Sequence, residues 1–461
     1  MTPPITDPGP VVVADGPSFL DAIDWGSKLA SNTVTVYFAG AGEVFDRKTL
    51  IGWTGYEVQQ AMLAFQQFAN VADLQFSITR DATDATLKLV NVQKAGFLGY
   101  FNPPGTKDEG VGVFNHTGKG WDFNDDSGGL QQGGYGFITM LHEFGHAMGM
   151  AHPHDAGGKS TVWQGVSRAT GDLGKFDFNQ GIYSTMTYND GWQTDPDGQN
   201  KSGDFGWQGT MMGLDVAVLQ QKYGANTTFA SGDTQYTLTG TNQSGTYFAC
   251  IWDTGGTDQI TYHGHRNTTI DLRAAHLGYA EGSGGYISNA KGSHSGFTIA
   301  NGAVIENAIG GQGDDSLTGN EVANTLIGKQ GRDILSGMTG DDNLTGGSGA
   351  DLLQGGAGVD SFTYVKLSDS AASGGRFDHI VDFDSLDVLD LHAMDAARHG
   401  VTNDAFIWID TARFSDTAGE VRWTQRASGV QVLADHDGDG TADFKLVLDG
   451  VTGLTLADLV L

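Results

Sequence analysis

The sequence predicts a mixed α+β fold up to about residue 225, followed by an all-β region of short stacked strands. Two observations indicate this order. Apolar residues recur at both strand and helix spacing in the first part, whereas Gly, Asp and Asn divide the second part into short segments. From Gly310 onward these segments become a regular nine-residue repeat. The 461 residues are enough for about three domains.

Helix and strand patterns can be assigned within the first part. Val34, Val36 and Phe38 alternate with polar residues and predict a strand, and the alternation returns at 74–78 and 87–89. The stretch 55–71 carries apolar residues at helical spacing and predicts an amphipathic helix. The segment 112–115 is compatible with a further strand. We expect these apolar positions to form the core.

Composition and charge exclude several classes of protein. The chain has 25 Lys and Arg against 55 Asp and Glu, a net charge of −30, which argues against nucleic-acid binding through a basic face. No run of 18 apolar residues is present, so no membrane span is expected. Residues 1–6 lack the basic and apolar regions of a secretory signal peptide. The protein therefore either stays inside the cell or carries its export signal elsewhere.

Six nine-residue units run without a gap from Gly310 to Thr363. Each begins with Gly and has Leu or Phe at its eighth position, so stacked units would align one apolar residue per unit into a ladder. Stacking with two units per turn places the sixth positions in two rows. One row is Asp315, Asp333 and Asp351, and the other is Asn324, Asp342 and Asp360. Stacked carboxylates repel one another, and a hard divalent cation between turns reverses this effect.

The repeat resembles the calcium-binding RTX nonapeptide, G-G-x-G-x-D-x-U-x. The resemblance implies a parallel β-roll that holds several Ca²⁺ ions. Unit two departs from the pattern, because Val322 replaces the second turn glycine and Asn324 the aspartate, so we expect a weaker or absent ion there. The calcium ligands that the resemblance implies in the repeats are Gly311, Gly313, Asp315, Gly331, Asp333, Gly340, Asp342, Gly349, Asp351, Gly358 and Asp360.

Two acidic clusters lie outside the repeats. Residues 435–440 alternate carboxylates with glycine as calcium loops do, but Leu446 stands where an EF-hand has Glu. An EF-hand is therefore not expected, and a solvated turn and an ion site both stay open. Asp378, Asp382 and Asp390 are either ligands or exposed residues of an amphipathic strand, and we expect them to be exposed.

The densest chemistry lies between His142 and His152. On a helix His142 and His146 share one face and can reach a single metal, with Glu143 beside them to bond a metal-held water. Gly149 is expected to end the helix and to let His152 return as a third ligand. Three neutral imidazoles suit one catalytic Zn²⁺ and leave a fourth position open for water. The alternative is a buried structural histidine cluster.

A methionine-containing segment follows some thirty residues after His152 and includes Met186 and Tyr188. With H-E-x-x-H-x-x-G-x-x-H before it, this segment resembles the Met-turn of the metzincin proteases. The resemblance makes Met186 the hydrophobic floor under the three histidines. It also matches Tyr188 to the tyrosine that serves in serralysins and astacins as a weak zinc ligand and then swings away to bond the reaction oxyanion.

Together with the repeats, these motifs resemble the serralysin family of metalloproteases. The resemblance implies a metzincin-type catalytic domain in residues 1–228 and a calcium-binding RTX β-roll domain with a C-terminal secretion signal in residues 229–461. Two departures are Ala230, where the family often has Arg, and the insert from Trp163 to Gln180, whose shape the sequence does not predict. The resemblance also implies a further calcium site formed by Gly232, Asp253, Gly255, Gly256, Asp258 and Glu306.

The function that the resemblance implies is that of a secreted zinc metalloendopeptidase acting on extracellular proteins. Glu143 is then the general base on zinc-bound water, and Zn²⁺ and Tyr188 stabilise the oxyanion. We expect the substrate to lie extended along an edge strand near residues 111–115.

The resemblance also implies several partners and a location. The partners are protein or peptide substrates, a type I secretion machinery that reads an uncleaved signal at the end of the chain, and a small protein inhibitor. The protein is expected to be an extracellular monomer without an N-terminal signal peptide.

A rival interpretation is a secreted calcium-dependent binding or adhesion protein whose zinc site is structural. The repeats do not decide between the two, because RTX rolls also occur in toxins, lipases and adhesins. An intact Glu143 beside an open fourth position favours the enzyme, since a structural site normally closes with a fourth protein ligand. Another RTX hydrolase is not supported, because no G-x-S-x-G motif is evident.

Overall fold

The computed structural model describes residues 19–93, 95–396 and 404–461. The expectation about a signal peptide in residues 1–6, and the start of the predicted first domain, lie outside these residues. None of the helices in the described part of the chain combines the length and the apolar composition that crossing a bilayer requires.

The N-terminal part contains a five-stranded sheet with the order β4-β1-β5-β7-β6 and a small β2–β3 hairpin. The pairing is parallel except between β6 and β7. The predicted strands are confirmed, but the expectation that 111–115 form an edge strand is wrong, because β6 covers β7 and is itself the edge. The strands are β1 (Thr33–Phe38), β2 (Val44–Phe45), β3 (Lys48–Thr49), β4 (Gln75–Ile78), β5 (Leu87–Val92), β6 (Gly99–Phe101) and β7 (Val111–Asn115).

Three α-helices pack with this sheet: α1 (Gly55–Val71), α2 (Tyr135–Ala147) and α3 (Gly213–Tyr223). The predicted helix is confirmed as α1, whose first turn is closed by reciprocal bonds between Thr54 and Glu57. The stacked rings of Phe65 and Phe144, with centroids 3.8 Å apart, join α1 to α2. This packing holds α2 rigidly beside the sheet. Short 3₁₀ segments lie at Phe19–Ile23, Lys175–Asp177, Leu367–Ser370 and Leu456–Asp458.

The region after α3 forms two facing sheets of mainly parallel strands, which is a parallel β-roll, and a separate parallel pair that joins Phe248–Ile251 to Gly296–Ile299. Strands 18 residues apart pair in register, such as Leu335 with Leu353, and the eighth-position residues are fully or almost fully buried. The predicted stacking with two units per turn is therefore confirmed. The first strands of this region are β8 (Gln235–Leu238), β9 (Phe248–Ile251), β10 (Gln259–Tyr262), β11 (Thr268–Asp271), β12 (Asn289–Ala290), β13 (Gly296–Ile299), β14 (Asn307–Ile309), β15 (Ser316–Thr318), β16 (Thr325–Gln330), β17 (Ile334–Thr339), β18 (Asn343–Ser348), β19 (Leu352–Ala357) and β20 (Ser361–Thr363).

The end of the chain caps both sheets of the roll. β26 pairs with β21 and begins an antiparallel extension through β25 and β24, while β27 pairs with β22 at the edge of the other sheet. The last strands are β21 (Asp378–Ile380), β22 (Val388–Asp390), β23 (Ile407–Trp408), β24 (Glu420–Gln425), β25 (Gly429–Asp435), β26 (Phe444–Asp449) and β27 (Leu459–Val460).

The insert from Trp163 to Gln180, whose shape the sequence did not predict, folds against the rest of the protein. The ring of Phe178 stacks on Phe19 at 5.6 Å and contacts Tyr279 at 5.9 Å. The Tyr279 hydroxyl donates to the Gln164 carbonyl at 3.2 Å. The insert is thus anchored at both ends to residues outside it.

Candidate active site

Helix α2 and the turn after it bring the three predicted histidines together. His142 and His146 lie one turn apart on α2, and Gly149 adopts a φ of +82° just after the helix end, as predicted. The chain then returns His152 to the same point. Its Nε2 lies 3.1 Å from that of His142 and 2.9 Å from that of His146.

Each of these imidazoles is oriented through its other ring nitrogen. The Nδ1 atoms of His142 and His146 lie 2.8 Å and 3.0 Å from the carbonyl oxygens of Thr185 and Met150, and that of His152 lies 3.0 Å from Asp155 Oδ2. Nδ1 must therefore be the protonated nitrogen, and the three Nε2 lone pairs face one another. Lone pairs placed this way repel unless a cation lies between them, so the donor set fits a metal ion.

Burial keeps the three histidines neutral. It lowers the pKa of His152 to about 2, and it lowers the pKa values of His142 and His146, with neighbouring imidazoles adding to the effect at His142. Neutral imidazole is the form that binds a metal ion.

Met186 lies directly under α2, as the resemblance implied. It is fully buried, and a Cβ built on Gly145 would come within 2.4 Å of its Sδ. Gly145 therefore lets the thioether pack against the helix between the two histidines. Met186 follows Ser184 and Thr185, whose hydroxyl and backbone N–H donate to Asp215 at 2.6 Å and 2.7 Å.

Glu143 is buried between α2 and the edge strand β6. Its side chain packs against Gly99, where an added Cβ would lie 2.9 Å from its Cγ. Burial raises the pKa of Glu143 to about 8. A cation held by the neighbouring imidazoles would oppose this shift. The role of Gly99 was not predicted, because a lone glycine in a loop-like segment gives no sign of what it approaches.

Tyr188 is half exposed at the mouth of the site. Its ring lies 4.6 Å from the ring of His152 and 5.5 Å from that of His142. Burial, and the nearby Glu143 carboxylate, raise the pKa of Tyr188, so the phenol keeps its proton near neutral pH. His154 was not singled out from the sequence, yet its ring stacks on His152 at 4.9 Å and lies 4.6 Å from Tyr188. Its position two residues after His152 was the available signal.

Two adjoining cavities open on either side of these residues. One, of about 460 Å³, extends along α2 towards Tyr135, and the other, of about 510 Å³, extends past His152 towards Trp25. Gly99, His142, Glu143 and Tyr188 line both cavities. The site is therefore a continuous cleft beside the edge strand.

The aspartate rows of the roll form a second candidate site. Each backbone N–H in a row donates to the Oδ1 of the next residue, for example from Asp315 to Asp333 and from Asp333 to Asp351, both at 2.8 Å. The Oδ2 atoms of four repeat aspartates are buried and make no hydrogen bond among the described residues. They belong to Asp333, Asp342, Asp351 and Asp360. Buried carboxylate oxygens without a donor fit a hard cation such as Ca²⁺.

Burial raises the pKa values of these carboxyl groups. The value reaches about 8 for Asp333, about 7 for Asp342 and Asp351, and about 6 for Asp360, with nearby carboxylates adding to the effect of burial. Asn324 differs, because its Nδ2 donates to the Glu306 carbonyl at 3.0 Å and its amide is satisfied. This arrangement supports the expectation of a weaker or absent ion at unit two.

Both rows continue beyond the repeats. Asp378 accepts a 2.8 Å bond from the Asp351 N–H, and Asp387 accepts one of 3.0 Å from the Asp360 N–H. The expectation that Asp378 is exposed is wrong, because it is fully buried at the end of its row. Asp382 and Asp390 are partly buried, and Asp382 Oδ2 accepts from the Gly356 N–H at 2.9 Å. The position of Asp378 at the end of its row explains why it is buried.

The residues implied for the additional calcium site also meet. The Asp258 N–H donates to Glu306 at 2.7 Å, Asp258 Oδ1 accepts from Thr234, and its Oδ2 is buried without a hydrogen bond. Burial, with Asp253 and Glu306 nearby, raises the pKa of Asp258 to about 6. The backbones of Gly232 and Gly256 lie against each other, and Gly255 donates to Asp253 at 3.1 Å.

The loop 435–440 brings carboxylates together as well. Ligand atoms of Asp435, Asp437 and Asp443 lie within 4.8 Å of one another. Asp435 is already engaged, because its two oxygens accept from the N–H groups of Gly438 and Gly440 at 2.8 Å each. Hydrogen bonds of this kind are typical of a turn, which is one of the two alternatives for this loop.

Comparison with known proteins shows which family this chain resembles. Residues 220–461 match the family described as Peptidase M10 serralysin C terminal. The chain is 31% identical over 253 residues to metalloprotease AprA of Pseudomonas entomophila, covering 50% of this chain and 49% of the relative. It is 30% identical over 304 residues to metallopeptidase AprA of Pseudomonas marginalis, covering 61% and 60%. It is 34% identical over 251 residues to serralysin C of Dickeya chrysanthemi, covering 51% and 50%.

These matches span about half of the length of the curated relatives, and three fifths in one case. The family match covers more than half of this chain and contains all of the nonapeptide repeats. The chain therefore belongs to the serralysin family.

Proposed function

We propose that this protein is a secreted zinc-dependent endopeptidase that hydrolyses peptide bonds of extracellular proteins. The observation that carries the proposal is the convergence of three Nε2 atoms whose Nδ1 partners fix them in place. A buried carboxylate, Glu143, lies beside them at the edge of a sheet. The names of the relatives, which include metalloprotease and metallopeptidase, support the same activity.

His142, His146 and His152 would hold the zinc ion. Three neutral imidazoles are a donor set of catalytic zinc sites, and a fourth position is left for a small ligand. When bound, zinc supplies a Lewis acid and a water molecule with a pKa of about 7. Asp155, Thr185 and Met150 keep the imidazoles in the required tautomer through their Nδ1 contacts.

Strand β6 offers a backbone edge for an extended substrate. Leu98 accepts a hydrogen bond from Asn115, and Asn102 donates one to Val111, both across the pairing with β7. Because only alternate residues of an antiparallel strand face one neighbour, the N–H and C=O groups of Gly99 and Phe101 point away from β7. A substrate strand can pair with these groups and place its scissile bond next to Glu143.

Two side chains would then handle protons and charge. Glu143 accepts the proton of the attacking water and passes it to the nitrogen of the leaving amine. Its burial, with 7% of its surface exposed, keeps bulk water from competing for this proton. Tyr188 donates a hydrogen bond from its protonated phenol to the oxyanion. The half-exposed ring can turn towards the carbonyl without disturbing the core.

We further propose that residues 1–228 form the catalytic domain and residues 229–461 a calcium-binding domain. Most of one hydrophobic core comes from residues 20–223 and the other from 238–459, although Phe248, Cys250 and Ala300 belong to the first. Ca²⁺ would stabilise the roll through the buried Oδ2 atoms. Protein substrates, type I secretion, a small protein inhibitor and a monomeric state complete the proposal.

The Glu143→Gln variant tests this function. We expect casein hydrolysis to fall by roughly 10²- to 10⁴-fold, because the general base is lost while the imidazoles remain. Zinc content, measured by mass spectrometry, should stay near one ion per chain. The matched control is Glu321→Gln, which changes an exposed carboxylate in the second repeat and should behave as the unmodified protein. Retained hydrolysis, or loss of zinc together with activity, would contradict the assigned role.

A further inference from the structure

The cavity that extends along α2 is an elongated channel with the candidate zinc site at its mouth. Tyr135, Ile138, Thr139 and His142 line it from one face of the helix. These residues span two helical turns, so the channel runs roughly 10 Å from His142 to Tyr135. A side chain entering beside Glu143 must therefore be long to reach the far end.

The walls of this channel differ from its end. Phe97 and Leu98, which precede β6, form an apolar wall, and Thr170 of the insert lines the channel as well. At the end, the Tyr135 hydroxyl donates to Asp190 Oδ2 at 2.7 Å. The channel thus combines apolar walls with a carboxylate at its end, of which only one oxygen accepts this hydrogen bond.

No lysine or arginine lines the channel in the described part of the chain. The exposed Lys119 has its Nζ over the Tyr135 ring at 3.9 Å, and burial raises the pKa of Asp190 while the Tyr135 hydrogen bond and the Lys119 charge oppose this shift. Lys119 makes no ion pair with Asp190 within 4.0 Å among the residues described in the structure. Asp190 is the acidic residue at the far end of the channel, so a cationic group that reaches this end finds a partner there.

The insert holds this carboxylate in place. Asn189, next to Asp190, accepts a 2.7 Å bond from the Gly171 N–H and donates from its Nδ2 to the Asn179 carbonyl at 2.7 Å. Both partners belong to the insert. The insert therefore contacts Tyr279 on one side and, through Asn189, fixes the end of the channel on the other side.

We propose that the channel receives the side chain of a substrate residue adjacent to the scissile bond, and that Asp190 makes the enzyme select lysine or arginine there. This inference rests on the proposed peptidase function. The long aliphatic stem of either residue packs along Phe97, Leu98 and Ile138, while the ammonium or guanidinium group bonds the free oxygen of Asp190. A short side chain does not reach that oxygen and leaves it without a partner. An acidic side chain is repelled by it.

Fluorescence-quenched peptides test the proposal on the zinc- and calcium-loaded full chain. The peptides differ only in one residue on either side of the scissile bond, which is lysine, norleucine or glutamate. We expect kcat/KM for lysine to exceed that for norleucine, its uncharged near-isostere, by roughly 10- to 100-fold at one of the two positions. In Asp190→Asn this ratio should fall to about one, mainly through loss of lysine cleavage.

The control is Asp177→Asn, which removes a negative charge from an exposed part of the insert outside the channel and should keep the lysine preference. Equal cleavage of lysine and norleucine peptides by the unmodified protein would overturn this inference alone. An equal loss for both peptides in Asp190→Asn would also overturn it, because Asp190 would then act only as structural support. If no peptide is cleaved, the proposed function fails as well.

Discussion

The histidine site and the aspartate rows both gather metal-binding groups, but they do so with opposite electrostatics. The three imidazoles are neutral, and each is oriented by an oxygen acceptor at its Nδ1 atom. The row members are acids whose Oδ1 atoms accept backbone N–H groups, while buried Oδ2 atoms remain without donors. The histidine site can therefore form without a metal, whereas the rows carry a cost that only protons or cations relieve.

This difference comes from the elements that support each site. Helix α2 and the segment around Met186 are fixed by an aromatic and aliphatic core that does not depend on the imidazoles. In the roll, the ladder of one apolar residue per unit is the main core, and it runs parallel to the carboxylate rows. Loss of the cation should therefore affect the fold in the roll and mainly the chemistry in the N-terminal part.

The largest effect should come from removing the two metals separately. A calcium chelator should unfold residues 310–363 and abolish most of the roll's β-sheet signal in circular dichroism, because the buried carboxylates then repel. A zinc-selective chelator should abolish hydrolysis and leave that signal unchanged. Readdition of calcium should restore the β-sheet signal, and readdition of zinc should restore hydrolysis. A roll that stays folded without calcium, with all its strands protected from hydrogen exchange, would break the comparison.

A smaller effect should follow pH in the calcium-free protein. Folding raises the pKa values of Asp333, Asp342 and Asp351 to about 7 or 8, from about 3.9 in an unfolded chain. The folded roll therefore binds more protons, and this stabilisation is complete below about pH 4 and is lost as the pH rises through 7 to 8.

We expect the calcium-free roll, unfolded at pH 8, to regain β-sheet signal and a melting transition at pH 5, where the carboxyl groups are protonated. Saturating Ca²⁺ should reverse this pH dependence, because the ion binds the deprotonated carboxylates. Thermal melts followed by circular dichroism check both statements. A calcium-free roll that is no more folded at pH 5 than at pH 8 would show that these carboxyl groups are not the source of the instability.

The smallest effect should come from disturbing the packing of Met186 against α2, under the histidine site. In Gly145→Ala the new methyl group meets Met186 Sδ, and we expect a loss of about 1–3 kcal/mol of unfolding free energy and weaker zinc binding. Gly55→Ala is the matched control, because no atom lies within 4 Å of a Cβ at that helical position. Denaturant unfolding and zinc titration measure both variants. Equal stability of the two would mean that Met186 is not packed against α2.

The sequence predicted those parts of the molecule in which one local pattern carries the information. The 3.6-residue period gave α1, the nine-residue period gave the roll, and the spacing of His142, His146 and His152 gave the histidine site. Each of these features depends on residues that are close in the chain or repeat at a fixed interval.

Features that depend on contacts between distant segments were missed. Strand β6 has only three residues and no alternation, and Gly99 is required by the approach of Glu143 from α2. The rows continue to Asp378 and Asp387 at a separation of 27 residues instead of 18. The nine-residue repeat ends at unit six, so it did not predict these two row members. His154 and the insert likewise acquire their roles only through packing around Tyr188 and Tyr279.

The most direct test of the central claim is X-ray absorption at the zinc edge of the purified, active protein. We predict three nitrogen ligands and one oxygen ligand from a non-protein group. In His146→Ala the number of nitrogen ligands should be lower. A fourth protein ligand other than Tyr188 on the ion, or no zinc in a preparation that hydrolyses casein, would contradict the account.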